Sequence, residues 1–199
     1  MNLRNLIAIA LLAAACTTND RNGSLVVTGV VVGKFTAATP TTSAACTYNA
    51  GDGEEILPNY NTAGSVNRAS AGFVVKNQLI DVSTLNTALN AATNNFSPHQ
   101  AVVDYEILPS TGAAPVTLAQ QIIPVSSGAV PSQTSQVVVV ELFSPATVLA
   151  AVNGLTDAFV RTTTRIEGKL DDGTTVSTSD HDYVVHVCNG ANCAFEACF

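Results

Sequence analysis

An alternation of polar and apolar side chains near the carboxyl end constrains the fold most strongly. Between Phe159 and Leu170 the even positions include Val160, Ile166 and Leu170. The odd positions are polar: Arg161, Thr163, Arg165, Glu167 and Lys169. A period of two residues puts one set against a core and the other in water, as in a β-strand. Asp171-Asp172-Gly173 then predicts a hairpin turn, with Gly173 free to take positive φ.

Further strands are predicted wherever β-branched residues cluster between turn-forming residues. The predicted segments are residues 24–36, 72–82, 100–109, 115–125, 136–143 and, after the hairpin turn, 174–179 and 183–187. In 24–36 the apolar residues occupy both parities, so we expect cover on both faces and a bulge at Gly29 or Gly33. In 100–109 the alternation directs Asp104 and Glu106 outward. Residues 37–68 are predicted to form a long loop.

Two short helices are predicted between strands. In the first, Leu85, Ala88, Leu89 and Ala92 recur at helical spacing after Ser83, a suitable N-cap. The second begins with Ser144-Pro145, runs to Val152 and stops near Asn153-Gly154, where it would bridge two sheets. About seven strands with mostly turn-like connections predict an all-β fold, an antiparallel β-sandwich of immunoglobulin-like type with one or two short helices.

The first sixteen residues have the order of an export signal. Arg4 is followed by an apolar stretch over residues 6–12, then by three alanines and Cys16. The apolar stretch is too short to span a bilayer. We expect residues 1–15 to be a signal peptide, 16–23 a polar tether, and 24–199 a single domain with a disulfide-bonded carboxyl-terminal segment.

A cysteine directly after such small residues resembles the lipobox of bacterial lipoproteins. The Leu usual three residues before that cysteine is Ala13 here, with Leu12 one place further back. The resemblance implies diacylation of Cys16 with chains such as palmitate, cleavage before it and acylation of the new amino terminus. Thr17, rather than Asp, implies the outer membrane. The alternative is an ordinary secretory signal cut near Ala15.

Charge narrows the range of partners. The formal charge is −7, and removing residues 1–15 takes Arg4 with it and gives −8. Because no cluster of Lys and Arg is present to neutralise phosphates, we expect no nucleic acid partner. Membrane attachment is expected to come from the lipid, and no cofactor is expected.

The remaining cysteines are Cys46, Cys188, Cys193 and Cys198. An even number in an exported protein predicts two disulfides. Among the three possible pairings we favour Cys188 with Cys193, across a turn-forming Asn189-Gly190, and Cys46 with Cys198. A four-thiolate zinc site is the less favoured alternative, since no Cys-x-x-Cys pair is present.

Few residues point to chemistry. Asp180-His181-Asp182 with His186 is the main concentration of metal-competent side chains; on a strand, His181 and His186 point to opposite faces. Asp180, Asp182 and His186 share a parity and are weak metal candidates, and calcium at Asp171, Asp172, Asp180 and Asp182 is another option. Tyr48 and Tyr60 are candidate binding residues.

The sequence therefore favours a non-enzymatic outer-membrane lipoprotein that binds or supports another envelope protein. Two alternatives stay open. One is a metal-dependent hydrolase around the Asp180–His186 cluster; the other is a carbohydrate-binding or adhesin module using Tyr48 and Tyr60.

Overall fold

Extended β-structure dominates the computed structural model, which describes residues 24–50, 59–62, 69–80, 94–125, 127–143 and 146–189. Within these ranges the strands are β1 Leu25–Val32, β2 Lys34–Thr36, β3 Ala45–Thr47, β4 Asn59–Asn61, β5 Ser70–Asn77, β6 Phe96–Pro109, β7 Val116–Pro124, β8 Ser135–Glu141, β9 Asp157–Leu170, β10 Thr175–Ser177 and β11 His181–Cys188. One helix, α1, spans Ala146–Asn153.

The strands form two sheets that face each other. The small sheet has the order β1-β5-β8, and the large sheet has the order β4-β11-β9-β6-β7, with β10 beside β9. All pairs are antiparallel except β11 with β4. A separate hairpin joins β2 to β3. The predicted all-β sandwich is confirmed, and immunoglobulin-like connectivity stays a prediction.

The core lies between the inner faces of the two sheets. The alternations predicted for β6 and β9 are confirmed: Val103, Tyr105 and Ile166 are buried, whereas Asp104 is exposed. The Tyr105 hydroxyl crosses the core and donates a 2.6 Å hydrogen bond to the carbonyl of Leu142. Burial raises the pKa of this phenol, so it stays a donor.

Strand β1 is covered on both faces, as its sequence predicts. Leu25 and Val30 lie in the core, and Val31 is buried on the opposite face. The register with β5 shifts between Val27 and Gly29, which confirms the predicted bulge at Gly29. The bulge thus lets Leu25 and Val30, which differ in parity, face the same core, while Val31 is buried on the other face.

The predicted loop over 37–68 is partly wrong. Residues of this stretch form β3, which pairs with β2, and β4, which pairs with β11 far along the chain. Three-residue strands carry too little local pattern to be read from sequence, because their partners are what make them strands.

Helix α1 connects β8 of the small sheet to β9 of the large sheet, as predicted for a bridging helix. It buries Val148 and Val152 in the core. The hairpin turn after β9 is also confirmed, since Gly173 has a φ of 81°. The predicted cap at Ser144-Pro145 and the predicted helix after Ser83 lie outside the described residues.

Two threonines on the inner face of β9 differ in their hydrogen bonding. Both are buried, but the Thr162 hydroxyl donates to the carbonyl of Tyr183 at 3.1 Å, while that of Thr164 has no hydrogen-bond partner among the described residues. Burying an unsatisfied hydroxyl costs free energy.

We therefore expect Thr164→Val to raise the free energy of unfolding by about 1 kcal/mol, because the isosteric methyl needs no hydrogen bond. Thr162→Val is the matched control and should lower it by a similar amount. Urea unfolding of both variants measures the difference, and a change of the same sign in both would contradict this assignment.

Candidate functional site

The predicted cluster of Asp180, His181, Asp182 and His186 does not form one site, because its members contact different neighbours. Asp182 accepts a 2.6 Å hydrogen bond from the Thr163 hydroxyl. The Asp180 carboxylate lies 3.6 Å from the Arg165 guanidinium, and both groups are partly exposed. Each carboxylate is thus engaged by a different residue of β9, the strand next to β11.

The two histidines lie on opposite faces of β11, as parity predicts. The His181 ring meets the ring of the core residue Phe73 edge-on, with centroids 6.3 Å apart. On the outer face, His186 Nε2 lies 2.9 Å from Asp157 Oδ1, and its ring stacks on Phe159. A shared metal on these two histidines is excluded by this geometry.

The side chains predicted as metal ligands do not converge on one site in the structure. Across the described ranges there is no group of three or more His, Cys, Asp or Glu residues placed to hold a metal ion. The calcium candidates Asp171 and Asp172 act in the hairpin turn: Asp171 accepts from the Asn95 N–H, and Asp172 accepts from the Thr174 N–H at 2.8 Å. These bonds fix the turn.

The Asp157–His186 contact gives a pH prediction. The hydrogen bond with His186 is the main cause that holds the pKa of Asp157 below its usual value. A carboxyl whose folded pKa is depressed stabilises the fold above its unfolded pKa, near 4, and loses that effect as pH falls through the folded value.

We therefore expect Asp157→Asn to be less stable than the unsubstituted chain at pH 6, and the gap to close as pH falls below about 4. Urea midpoints at several pH values measure it. A gap that widens on acidification would show that the contact does not act through the carboxylate charge.

Tyr48 and Tyr60 do not form a joint platform. Tyr60 is only 2% exposed and packs edge-on against Phe143 in the core, with ring centroids 5.1 Å apart. Tyr48 is half-buried on the outer face of the small sheet, where its ring lies over Gly72. Burial is the main cause that raises the pKa of Tyr48. Tyr48 and Tyr60 therefore do not form a shared recognition surface.

Gly72 explains how Tyr48 reaches the sheet. A Cβ at this position would lie 2.6 Å from Val137 Cγ1 and 3.1 Å from Tyr48 Cδ1. The missing side chain leaves room for the ring between β1 and β8. Tyr48 thus covers apolar surface, which is a structural role.

Cys46 in β3 and Cys188 at the end of β11 are both in disulfide form. Their predicted partners Cys193 and Cys198 lie outside the described residues, so the pairing stays a prediction. Cys16 lies outside them as well.

The outer face of the large sheet carries charges that are paired. Arg161 contacts Glu106, and Arg165 contacts Glu167. A shallow cleft of about 200 Å³ lies beside the first pair. A second, of about 190 Å³, is bordered by His99 and Glu167, and the Glu167 carboxylate also accepts from Gln100. The carboxylates of Glu106 and Glu167 beside these clefts are therefore each held by an arginine of β9.

A different feature, not singled out from sequence, is the edge of the large sheet. β7 is its last strand, and no strand of the described ranges pairs with its outer edge. Of the three large hydrophobic side chains that are exposed within those ranges, two lie on β7: Val116, 50% exposed, and Ile122, 64% exposed. None of its nine residues is charged.

Such an edge is open to another strand. Unpaired N–H and C=O groups are a template for pairing, and proteins commonly protect edges with Lys, Pro or bulges. β7 has a register shift opposite Asp104 and ends at Pro124, but it has no charge. The sequence signal that could have found it is a strand-length segment with no charged residue and no clear alternation.

Comparison of the sequence with known proteins identifies no family. No protein-family model matches this chain, and no curated protein matches it. None of the helices in the described part of the chain has the length and apolar character of a membrane span.

Proposed function

We propose that the protein is a lipid-anchored, non-enzymatic component of the outer membrane that binds another envelope protein. The order of Arg4, the apolar stretch, three alanines and Cys16 carries this proposal. An even set of cysteines after Cys16, two of them in disulfide form, supports an oxidising compartment. Acyl chains on Cys16 supply the membrane affinity that an acidic domain lacks.

Binding is assigned to the free edge of β7. A partner that offers an extended, uncharged segment would add a strand to the large sheet, with main-chain hydrogen bonds for affinity and contacts to Val116 and Ile122 for specificity. An acidic segment would fit less well, because the carboxylate of Asp104, which accepts from Gln120 of β7, lies beside this edge.

Cys16→Ser tests the anchor. In the native host, the unsubstituted protein should sediment with outer membranes and incorporate a clickable palmitate analogue. The Cys16→Ser variant should do neither, because a signal without an acceptor thiol cannot be acylated. Arg21→Ser, in the same tether, is the matched control and should keep both properties. Equal labelling of the unsubstituted protein and Cys16→Ser would overturn the anchor.

A photoreactive amino acid tests the edge. Placed at Ile122 in the lipidated protein in native membranes, it should give one recurrent crosslinked product, which Gln120→Lys should abolish by adding a charge to the strand. The same amino acid at Thr111, an exposed turn residue, is the control. Crosslinking that is equal at both positions, or unaffected by Gln120→Lys, would overturn the assignment of β7. A product made of two copies of this chain would replace the envelope partner by self-association.

The disulfide pairing is proposed as Cys188–Cys193 and Cys46–Cys198. The Cys46 side chain is exposed, whereas Cys188 is buried where β11 ends, so the two bonds lie in different surroundings. Peptide mapping without reduction should recover two separate linked peptides of that composition. Recovery of either other pairing would contradict it.

A further inference from the structure

The chain enters the sandwich at one defined end. The Gln78 N–H donates to the carbonyl of Ser24 at 2.7 Å, and the Ser179 N–H donates to the carbonyl of Leu25. Leu25 is paired with Asn77, the last residue of β5. The start of β1 is therefore fixed against both sheets.

The same end gathers several turns. The Asn77 side chain donates to Asn94 and Val130, and the Asn95 N–H donates to Asp171. We call this the Ser24 end; it comprises Ser24 and residues 78–80, 94–95, 131–134, 171–173 and 179–180. The Pro109 end is opposite, where Ser110 donates to the carbonyl of Asp157 and β11 finishes at Cys188.

The tether from Cys16 to Ser24 is short compared with the length of the domain. Eight residue steps separate Cys16 from Ser24, and a fully extended chain covers at most about 29 Å over that count. Strand β6 runs from the Ser24 end to the Pro109 end over fourteen residues, about 46 Å at strand rise. The tether is thus shorter than the domain is long.

We infer that the Ser24 end faces the lipid surface and that the Pro109 end points away from it. The inference rests on the proposed lipid anchor. Among the described residues of this end, Ile80 presents a large apolar side chain that is 62% exposed. Because β7 runs along the same axis as β6, a partner strand paired with its edge would run along the membrane normal.

Charge sets how closely the Ser24 end approaches the lipid. The exposed carboxylates Asp171, Asp172 and Asp180 belong to this end, and with the net charge of the mature chain they repel anionic headgroups over a range set by the Debye length, about 8 Å in physiological salt. A tether that reaches at most about 29 Å can hold this end outside that range. The alternative, in which the domain lies flat, would bring the ion pairs Arg161–Glu106 and Arg165–Glu167 of the large sheet against the bilayer, where removing water from them costs free energy.

Energy transfer to labelled lipid tests the orientation. A clickable amino acid carrying a donor dye is placed at Asp172 or at Thr111, both exposed turn residues at opposite ends. The full lipidated chain is reconstituted on one side of vesicles of phosphatidylcholine and phosphatidylglycerol with an acceptor dye on the headgroups. Transfer should be several-fold stronger from position 172 than from position 111.

A longer tether supplies the control. Doubling it with a Gly-Ser insertion after Gly23 should reduce transfer from position 172, because the reach of the chain sets the distance. Equal transfer from the two positions, or the reverse order, would overturn the orientation while leaving the anchor intact. Protein that fails to stay with the vesicles would instead overturn the anchor, and the orientation with it.

Discussion

Gly168→Ala is expected to destabilise the protein by on the order of 3 kcal/mol. A Cβ at Gly168 would clash with the main-chain oxygen of Ser97, and it would lie 2.6 Å from Phe96 Cε2 and 2.8 Å from Pro98 Cα. Gly168 is paired with Pro98 where the register of β6 against β9 shifts. Two of these three neighbours are backbone atoms, which cannot move aside as a flexible side chain can.

The size of the effect reflects where Gly168 lies. β6 and β9 are adjacent fourteen-residue strands near the centre of the large sheet, so a local separation breaks both the ladder and the core beside Phe96. Urea unfolding measures the loss. Gly128→Ala is the matched control, since a Cβ there meets only Gln136 Oε1, at 3.9 Å. Equal stability of the two variants would show that the bulge tolerates a side chain.

Asn77→Leu is expected to cost about 3 kcal/mol, because it removes at once the three hydrogen bonds of a fully buried side chain. The Asn77 amide donates to the carbonyls of Asn94 and Val130 at 2.7 and 3.1 Å, and its oxygen accepts from the Leu79 N–H at 3.0 Å. Leucine fills a similar volume but leaves these three main-chain groups without this partner.

Asn94→Ala is the control for this network. The Asn94 side chain makes one exposed bond, to the carbonyl of Ile80, while its own carbonyl remains available to Asn77. We expect a loss below about 1 kcal/mol. Thermal unfolding of both variants distinguishes them, and an Asn94→Ala loss as large as that of Asn77→Leu would show that the buried amide is not the centre of the network.

Period-two patterns were the part of the fold that local sequence could predict. The strands β1, β5, β6, β8 and β9 are predictable because a sheet with one solvent-exposed and one buried face imposes alternation, and a strand covered on both faces imposes a continuous apolar run. Gly173 was identified because a tight hairpin needs positive φ. These signals are local, so a single sequence contains them.

The features that sequence did not reveal depend on distant partners. β4 is a strand only because β11 lies beside it, more than a hundred residues later. The predicted strand begins at residue 100, whereas β6 begins at Phe96 and continues through Pro98 by a bulge that Gly168 of β9 accommodates. Buried Thr162 and Gly168 occupy core positions of β9 for the same reason, since their roles are set across the sheet.

The candidate sites divide in the same way. The separation of His181 from His186 followed from strand parity, which is local. The burial of Tyr60 against Phe143 could not be predicted in this way. Tyr60 lies in β4 and Phe143 follows β8, and the two rings meet only through the tertiary fold. The free edge of β7 is likewise a property of strand order, which alternation does not encode.

Mass analysis of the amino-terminal peptide from protein purified from the native host tests the lipid anchor most directly. We predict a peptide that begins at residue 16, with a diacylglyceryl group on the sulfur and a third acyl chain on the nitrogen. A peptide with an unmodified thiol, or one that begins at Met1, would contradict it.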